Sequence, residues 1–376
     1  MLFRSLDFLS GIGSVCLGHC NAAVSEAIAV QAKKLMHVGN YFYVEGRGEL
    51  AQSLSLLLNN KDKDAEPWKL FFGNSGAEAN EGALKLARKY GKQRVNGAGT
   101  IITAKRSFHG RTLATTAATG QAAKQESFAP MPSGFALTEP GDIQDLVEVI
   151  ESCKQAAASK GCPELAPVAV MLECIQGEGG VWPLSPEYLK EVRALTQENG
   201  MLLMIDEVQT GFYRTGVPFS YIHAGIRPDV VTLAKGIANG FPCGALAATG
   251  KAASVFVPGE HGSTFGGSSL AIAAARATVE ELEKQAIGSK VKEQGAYFKT
   301  QLGTLPHVIE VRGEGLMLGI SLDVPAAAQV VDEILEQGVI INGIGDTILR
   351  FLPPLVVGKE EIDKVIELLK ELLASK

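Results

Sequence analysis

Lys235 stands where the apolar run Val230, Val231, Leu233 and Ala234 gives way to Gly236 and Gly240. Pro228 before the run and Gly236 after it bound a short buried strand. A lone lysine at a strand end ordinarily keeps its ammonium in water, because Lys is rarely buried unless paired or functional. A lysine held in an apolar pocket gives up its proton more readily, and its amine can then attack a carbonyl. Two further apolar runs end in acids. Asp206 closes 201–205, and Glu173 closes 168–172 with Gln176 and Glu178 just behind it. Parallel α/β sheets bind ligands beyond the carboxyl ends of their strands, which is where these groups fall.

Four apolar residues followed by Asp-Glu also fit the second strand motif of a nucleotide hydrolase. That reading needs a GxxxxGK[ST] loop upstream, and the chain has none. The Gly-rich stretch GNSGAEAN at 73–80 lacks the lysine. It follows the apolar 70–72 and opens a helix, so its small residues and first-turn N–H groups suit a phosphate, as well as a plain helix start. Nearby lies SFHGRT at 107–112. Phe108 is either core or a stacking surface for a flat cofactor. Arg111 is either a surface charge or a bidentate partner for a carboxylate. His109 alone is a weak signal. A Schiff-base lysine, an acid for a pyridine nitrogen, a phosphate cup and a stacking ring together form the constellation expected for pyridoxal 5′-phosphate. Lys235, Asp206, Ser75-Gly76-Ala77 and Phe108 supply them.

These groups need a scaffold. Helical patterns run over 76–91 and 186–200, the second with Ser185 as N-cap, Pro186 just inside and Gly200 as its stop. Short apolar strands are expected at 100–104, 168–173, 201–206, 229–234 and 244–249. This alternation predicts an α/β fold, a mostly parallel sheet covered by helices. Further on, the pattern predicts one long helix over 269–300 and two strands within 308–322 joined by a Gly-rich turn. A helix near 326–337, a strand pair around 339–351 and a last helix from 359 follow. The chain therefore divides into a remnant of an N-terminal segment at 1–22, a large domain at 23–282 and a small α+β domain at 283–376. The stretch 152–167, with Pro163 and Pro167, is expected to be a surface connection.

Composition narrows the class. The 376 residues are 46% hydrophobic and 20% charged, with formal net charge −6, as in ordinary globular chains. No basic block points to nucleic acid, and no Lys/Arg-rich amphipathic stretch points to a membrane surface. Apolar runs such as 201–205 are too short to span a bilayer. The six cysteines are scattered without a CxxC pair, and the group Cys16, His19, Cys20 lacks a second half of metal ligands. Free thiols, no metal and a cytoplasmic location are expected. Residues 1–11 contain no signal-peptide core. They read like the middle of a fold, as if the chain were truncated at its start.

Several segments taken in order resemble one family: NSGAEANE, SFHGRT, TGQ at 119–121, IQGEGGV, IDEVQTGFYRTG, TLAKG, HGSTFGG and VRGEGLMLGISL. The chain is similar over essentially its whole length to the class III aminotransferases of fold type I, in the acetylornithine and ornithine aminotransferase group. The resemblance implies that Lys235 carries the cofactor and that Asp206 pairs with its ring nitrogen. Gln209 would reach the ring's phenolic oxygen, and Val208 and Phe108 would sandwich the ring. Ser75, Gly76 and Ala77 would hold the phosphate. Thr264, with Ser263 beside it, would reach the phosphate of a neighbouring subunit, giving a homodimer with shared sites. Arg111 would bind the substrate α-carboxylate. Glu178 and Arg350 would form a gate that frees Arg350 for the distal carboxylate of glutamate.

VGNYFYVE at 38–45 resembles the acetylornithine branch, in which Asn40 would line the acyl end. The implied reaction is ping-pong transfer of the δ-amino group of N-acetylornithine to 2-oxoglutarate. Transfer from ornithine or a 4-aminobutyrate-type donor is the alternative, and an inactive homologue serving as a binding protein is a third. The chain departs from the family's pattern at Asn21-Ala22, at Cys174 and at Ser268-Ser269.

Overall fold

The computed structural model describes residues 5–376, so the first four residues of the expected 1–22 segment lie outside the described residues. A seven-stranded sheet forms the centre. Its strands in chain order are β1 (Lys69–Gly73), β2 (Thr100–Ala104), β3 (Phe135–Thr138), β4 (Pro167–Leu172), β5 (Leu202–Asp206), β6 (Val230–Leu233) and β7 (Gly244–Ala248). In space they run β1-β7-β6-β5-β4-β2-β3. All neighbours are parallel except β7, which lies antiparallel to both β1 and β6. Every residue of β4 and β5 is buried. A parallel strand covered on both faces must be apolar at consecutive positions rather than alternate ones, which is why these strands read as unbroken runs.

A second, four-stranded antiparallel sheet holds β8 (Val308–Glu314), β9 (Met317–Leu322), β10 (Asn342–Ile344) and β11 (Ile348–Phe351), in the order β8-β9-β11-β10. The fold class is thus the expected one, a mostly parallel α/β sheet between helices with a smaller α+β part after it.

The main helices are α1 (Ala22–Lys34), α2 (Arg47–Leu58), α3 (Gly76–Arg94), α4 (Leu113–Ala118), α5 (Ile143–Lys160), α6 (Pro186–Glu198), α7 (Ser269–Lys284), α8 (Ile287–Leu302), α9 (Ala327–Glu336) and α10 (Lys359–Leu373). Two departures from the family's pattern turn out to be N-caps. Asn21 accepts from the N–H groups of Ala23 and Val24, and Ser268 accepts from that of Ala271. Among the described residues no helix is long and apolar enough to cross a membrane.

Three expectations are corrected. The helix over 269–300 is two helices, because Ala286 adopts φ 48° and turns the chain between α7 and α8. The stretch 152–167 is not a loop throughout: α5 continues to Lys160, where Gly161 caps it at φ 59°. Leu146, Ile150 and Ala157 give α5 a buried stripe that the downstream prolines obscured. Finally, Val339–Ile340 does not join the 342–351 hairpin. It pairs in parallel with Leu6–Asp7 at the other end of the chain. Ser10 Oγ donates to the Leu352 carbonyl at 2.6 Å, and the Leu352 N–H donates to the Phe8 carbonyl at 2.7 Å, closing the same seam.

Candidate active site

The carboxyl ends of β1, β2, β4, β5 and β6 and the start of the antiparallel β7 open on one edge of the central sheet. Asp206 is the last residue of β5 and is 4% exposed. A buried carboxylate needs donors, and three reach it. Asn80 Nδ2 on α3 and His109 Nδ1 each lie 2.8 Å from Oδ2, and the Val208 N–H donates to Oδ1 at 3.0 Å. Asn80 Nδ2 also donates to the His109 carbonyl at 2.7 Å, tying the helix to the 107–112 loop. Burial on its own would lower the His109 pKa, but the hydrogen bond and charge of Asp206 outweigh it and the net shift is upward. His109 therefore faces Asp206 with an Nδ1 proton.

Lys235 follows β6 in a single 3₁₀ turn, Lys235–Ala238, with φ 45°. A non-glycine residue in this left-handed region stores strain, which is common at working sites. Its side chain is half-buried and lines a cavity of about 390 Å³ together with Asp206. Burial pulls the ammonium down to about 8, with the Glu178 charge opposing and the Arg350 charge adding to the effect. Burial raises Glu173 to about 7 in the same wall, although its carboxylate accepts from the Phe108 N–H at 2.9 Å and the Gly177 N–H at 3.4 Å.

Ser75, Gly76, Ala77, Phe108, Arg111, Val208 and Gln209 line this cavity with Lys235 and Asp206. Ser75 caps α3, its Oγ accepting from the Glu78 N–H at 3.2 Å. The first turn of a 19-residue helix is thus aimed into the cavity, a favourable place for an anion. The cup is tightly built. A Cβ on Gly76 would stand 2.8 Å from Val208 Cγ1, and one on Gly244 would stand 2.4 Å from the Ser75 carbonyl oxygen. Gly244→Ala is expected to push the cup off β7. Overpacking of this kind costs on the order of 1–3 kcal/mol. Thermal unfolding with and without added pyridoxal phosphate should show lower stability and a smaller cofactor-induced stabilisation.

Glu178 and Arg350 do not line the cavity themselves but sit behind its Gln209: Arg350 Nη1 donates to Glu178 Oε1 at 2.5 Å and to Gln209 Oε1 at 3.4 Å. Burial pushes Glu178 up, yet the charge and hydrogen bond of Arg350 outweigh this and hold it below the usual carboxylate range. The Arg111 guanidinium lies 5.5 Å from the centre of the Phe108 ring.

Asn40, Ser263 and Thr264 are not among the residues lining this cavity. Asn40 Nδ2 instead donates to the Ser263 carbonyl at 2.5 Å, and Thr264 is exposed. The sequence singled out Glu173 only as a strand-end acid, gave His109 little weight and left Asn80 out. Their signal lies in position: Asn80 is five residues beyond the cap of α3, and Glu173 directly follows β4.

Pyridoxal phosphate fits these residues. Glycines clear the cup, a buried acid is backed by three donors, and a lysine of lowered pKa shares its cavity. Fold and site together define a pyridoxal-phosphate-dependent transferase of fold type I. The family described as Aminotransferase class-III matches residues 3–373, and the chain belongs to it.

Among its relatives is an acetylornithine aminotransferase of Caldanaerobacter subterraneus subsp. tengcongensis, 44% identical over 98% of this chain and 90% of the relative. Acetylornithine aminotransferase 1 of Bordetella pertussis is also 44% identical over the same shares. Among solved structures, the ornithine aminotransferase of Toxoplasma gondii ME49 aligns with TM-score 0.88 and 29% identity over 99% of this chain and 86% of that one. The N-acetylornithine aminotransferase of Stenotrophomonas maltophilia K279a aligns with TM-score 0.80 and 33% identity over 99% and 91%.

Proposed function

We propose that the protein transfers the δ-amino group of N-acetylornithine to 2-oxoglutarate in two half-reactions. The observation that carries this is the Glu178–Arg350 pair, joined through Gln209 to the cavity that holds Lys235, on a chain 44% identical to acetylornithine aminotransferases. When bound, pyridoxal phosphate supplies an electron sink for the carbon that loses its proton.

The chain's own residues do the rest. Lys235 would hold the cofactor through its aldehyde carbon, and its Nζ, when free, would take the proton from the amine-bearing carbon of the donor and return it. A pKa of about 8 keeps part of that amine neutral near physiological pH. Asp206 would keep the cofactor's ring nitrogen protonated. Ser75, Gly76 and Ala77 would hold its phosphate, Phe108 and Val208 would contact its ring, and Gln209 would reach its phenolic oxygen. Arg111 binds the α-carboxylate of the donor. Glu178 neutralises Arg350 while that donor is present, and its withdrawal frees Arg350 for the second carboxylate of 2-oxoglutarate.

Asn40, Ser263 and Thr264 serve the site of a second copy in a homodimer. The contact of Asn40 with Ser263, and exposed Tyr41, Phe42, Tyr43 and Phe265 close by in the chain, support this. Large exposed aromatics clustered on one chain segment are typical of surfaces that another chain covers.

The test is the visible spectrum of cofactor-loaded protein before and after N-acetylornithine is added without a keto acid. Loss of the long-wavelength band, far slower with ornithine at the same concentration, is the expected result. Faster loss with ornithine would replace the reading by δ-transfer from ornithine, which the likeness to ornithine aminotransferase structures favours.

A further inference from the structure

We propose that Arg312 is a positioning residue that holds the gate loop 177–182 closed and so sets the preference between monocarboxylate and dicarboxylate ligands. The inference rests on the gate reading of Glu178 and Arg350. Arg312 lies on β8 directly opposite Gly319 on β9, and Gly319 lies opposite Arg350 on β11. Paired residues on adjacent antiparallel strands share a face. The three therefore form a row across the small sheet, two arginines with a glycine between.

The gate loop sits along this row. Arg350 holds Glu178 Oε1 at 2.5 Å, and Arg312 Nε donates to the Gly180 carbonyl at 2.7 Å. Val181 drops onto Gly319, where a Cβ would stand 3.0 Å from Val181 Cβ. Arg312 is itself fixed. It is 5% exposed, its Nη1 donates to Ser321 Oγ at 2.5 Å and Glu310 Oε2 at 3.0 Å, and its guanidinium lies 3.7 Å from the Trp182 ring centre.

The two clasps differ in what can release them. The Glu178 carboxylate is the only charged group the loop offers to Arg350, so an incoming carboxylate can replace it. The Gly180 carbonyl is neutral backbone on a buried arginine already covered by Glu310, Ser321 and Trp182, so this clasp is not open to exchange in the same way. Val181 at φ 60° and Gly180 at φ 118° hold the loop in a conformation that relaxes if its anchor is lost. Arg312 thus keeps the closed arrangement populated until a dicarboxylate displaces Glu178. Loosening the anchor shifts the two-state balance toward an uncovered Arg350.

The experiment is calorimetric titration of cofactor-loaded protein with glutarate and with valerate, two carboxylates against one on the same carbon count. Arg312→Gln is expected to raise the glutarate-to-valerate affinity ratio roughly tenfold, the scale of one charge-assisted hydrogen bond. Arg312→Lys should raise it as well, because an ammonium cannot reproduce the fork or the stacking on Trp182. Gly319→Ala leaves Arg312 in the chain but crowds Val181 and the Gly180 carbonyl that Arg312 holds; it should move the ratio in the same direction, and it decides the matter if the Arg312 variants fail to fold.

Glu178→Gln is the control for the gate itself. If Glu178→Gln leaves the ratio unchanged, the gate reading fails. If it raises the ratio while the Arg312 variants and Gly319→Ala leave it at the wild-type value, the gate stands and the positioning role of Arg312 is overturned.

Discussion

Lys235→Met is expected to reduce turnover by on the order of 10⁴-fold, the upper range for loss of a positioned acid–base group, and to abolish covalent cofactor attachment. Borohydride reduction followed by mass spectrometry of the 229–240 peptide would show no added cofactor mass. Steady-state assay would show turnover near background, and retained transamination would overturn the assignment. The same variant makes a second, opposite prediction for the cofactor-free protein. Burial lowers the Lys235 pKa from 10.5 to about 8. Between those values the unfolded chain binds more protons than the folded one, so stability rises with pH across that window. Its slope approaches at most about 1.4 kcal/mol per pH unit. Below pH 8 the folded state carries the cost of a partly buried charge. Methionine removes that cost. Cofactor-free Lys235→Met should therefore melt above the parent at pH 7, with the gap closing toward pH 10.5.

Asp206→Asn should slow the proton-transfer half-reaction by on the order of 10²–10³-fold, the usual effect of deleting one preorganised electrostatic partner. Stopped-flow spectra with N-acetylornithine would measure it. Near-normal rates would contradict the role assigned to this carboxylate. His109 offers an independent readout. Its upward shift depends on the Asp206 hydrogen bond and charge working against burial. With asparagine the burial effect prevails, so the His109 pKa should drop, visible as a displaced titration in proton–nitrogen NMR. A fold defect would not produce that one displacement with the other histidine signals unmoved.

The parts of the fold that read clearly were those where one physical rule governed a whole element. The buried strands β4, β5 and β6 were visible as apolar runs, and their ends located Lys235, Asp206 and Glu173. What stayed hidden depends on partners far along the chain. Asp206 meets His109 across 97 positions and Asn80 across 126, and neither spacing leaves a periodic trace. The direction of β7 is fixed by its pairing with β1 and β6, not by its own composition. The break at Ala286 uses the best helix former in a left-handed conformation, so propensity pointed the wrong way there. Asn40 shows the limit most directly. Its residue type suits a binding site, while its place on the 263–267 loop follows from the fold alone.

The seam between Leu6–Asp7 and Val339–Ile340 has a bearing on how the molecule is born. Ser10 reaches Leu352 across 342 positions, so these contacts cannot form while the ribosome is still making the last third of the chain. The central sheet can assemble first, since domains fold largely in order of synthesis. The amino-terminal stretch must wait, tethered but undocked, and its closure carries the entropy of a very long loop. This clasp is therefore a late stitch of biosynthesis, and until it is tied the nascent chain keeps that seam open to proteases and to its neighbours.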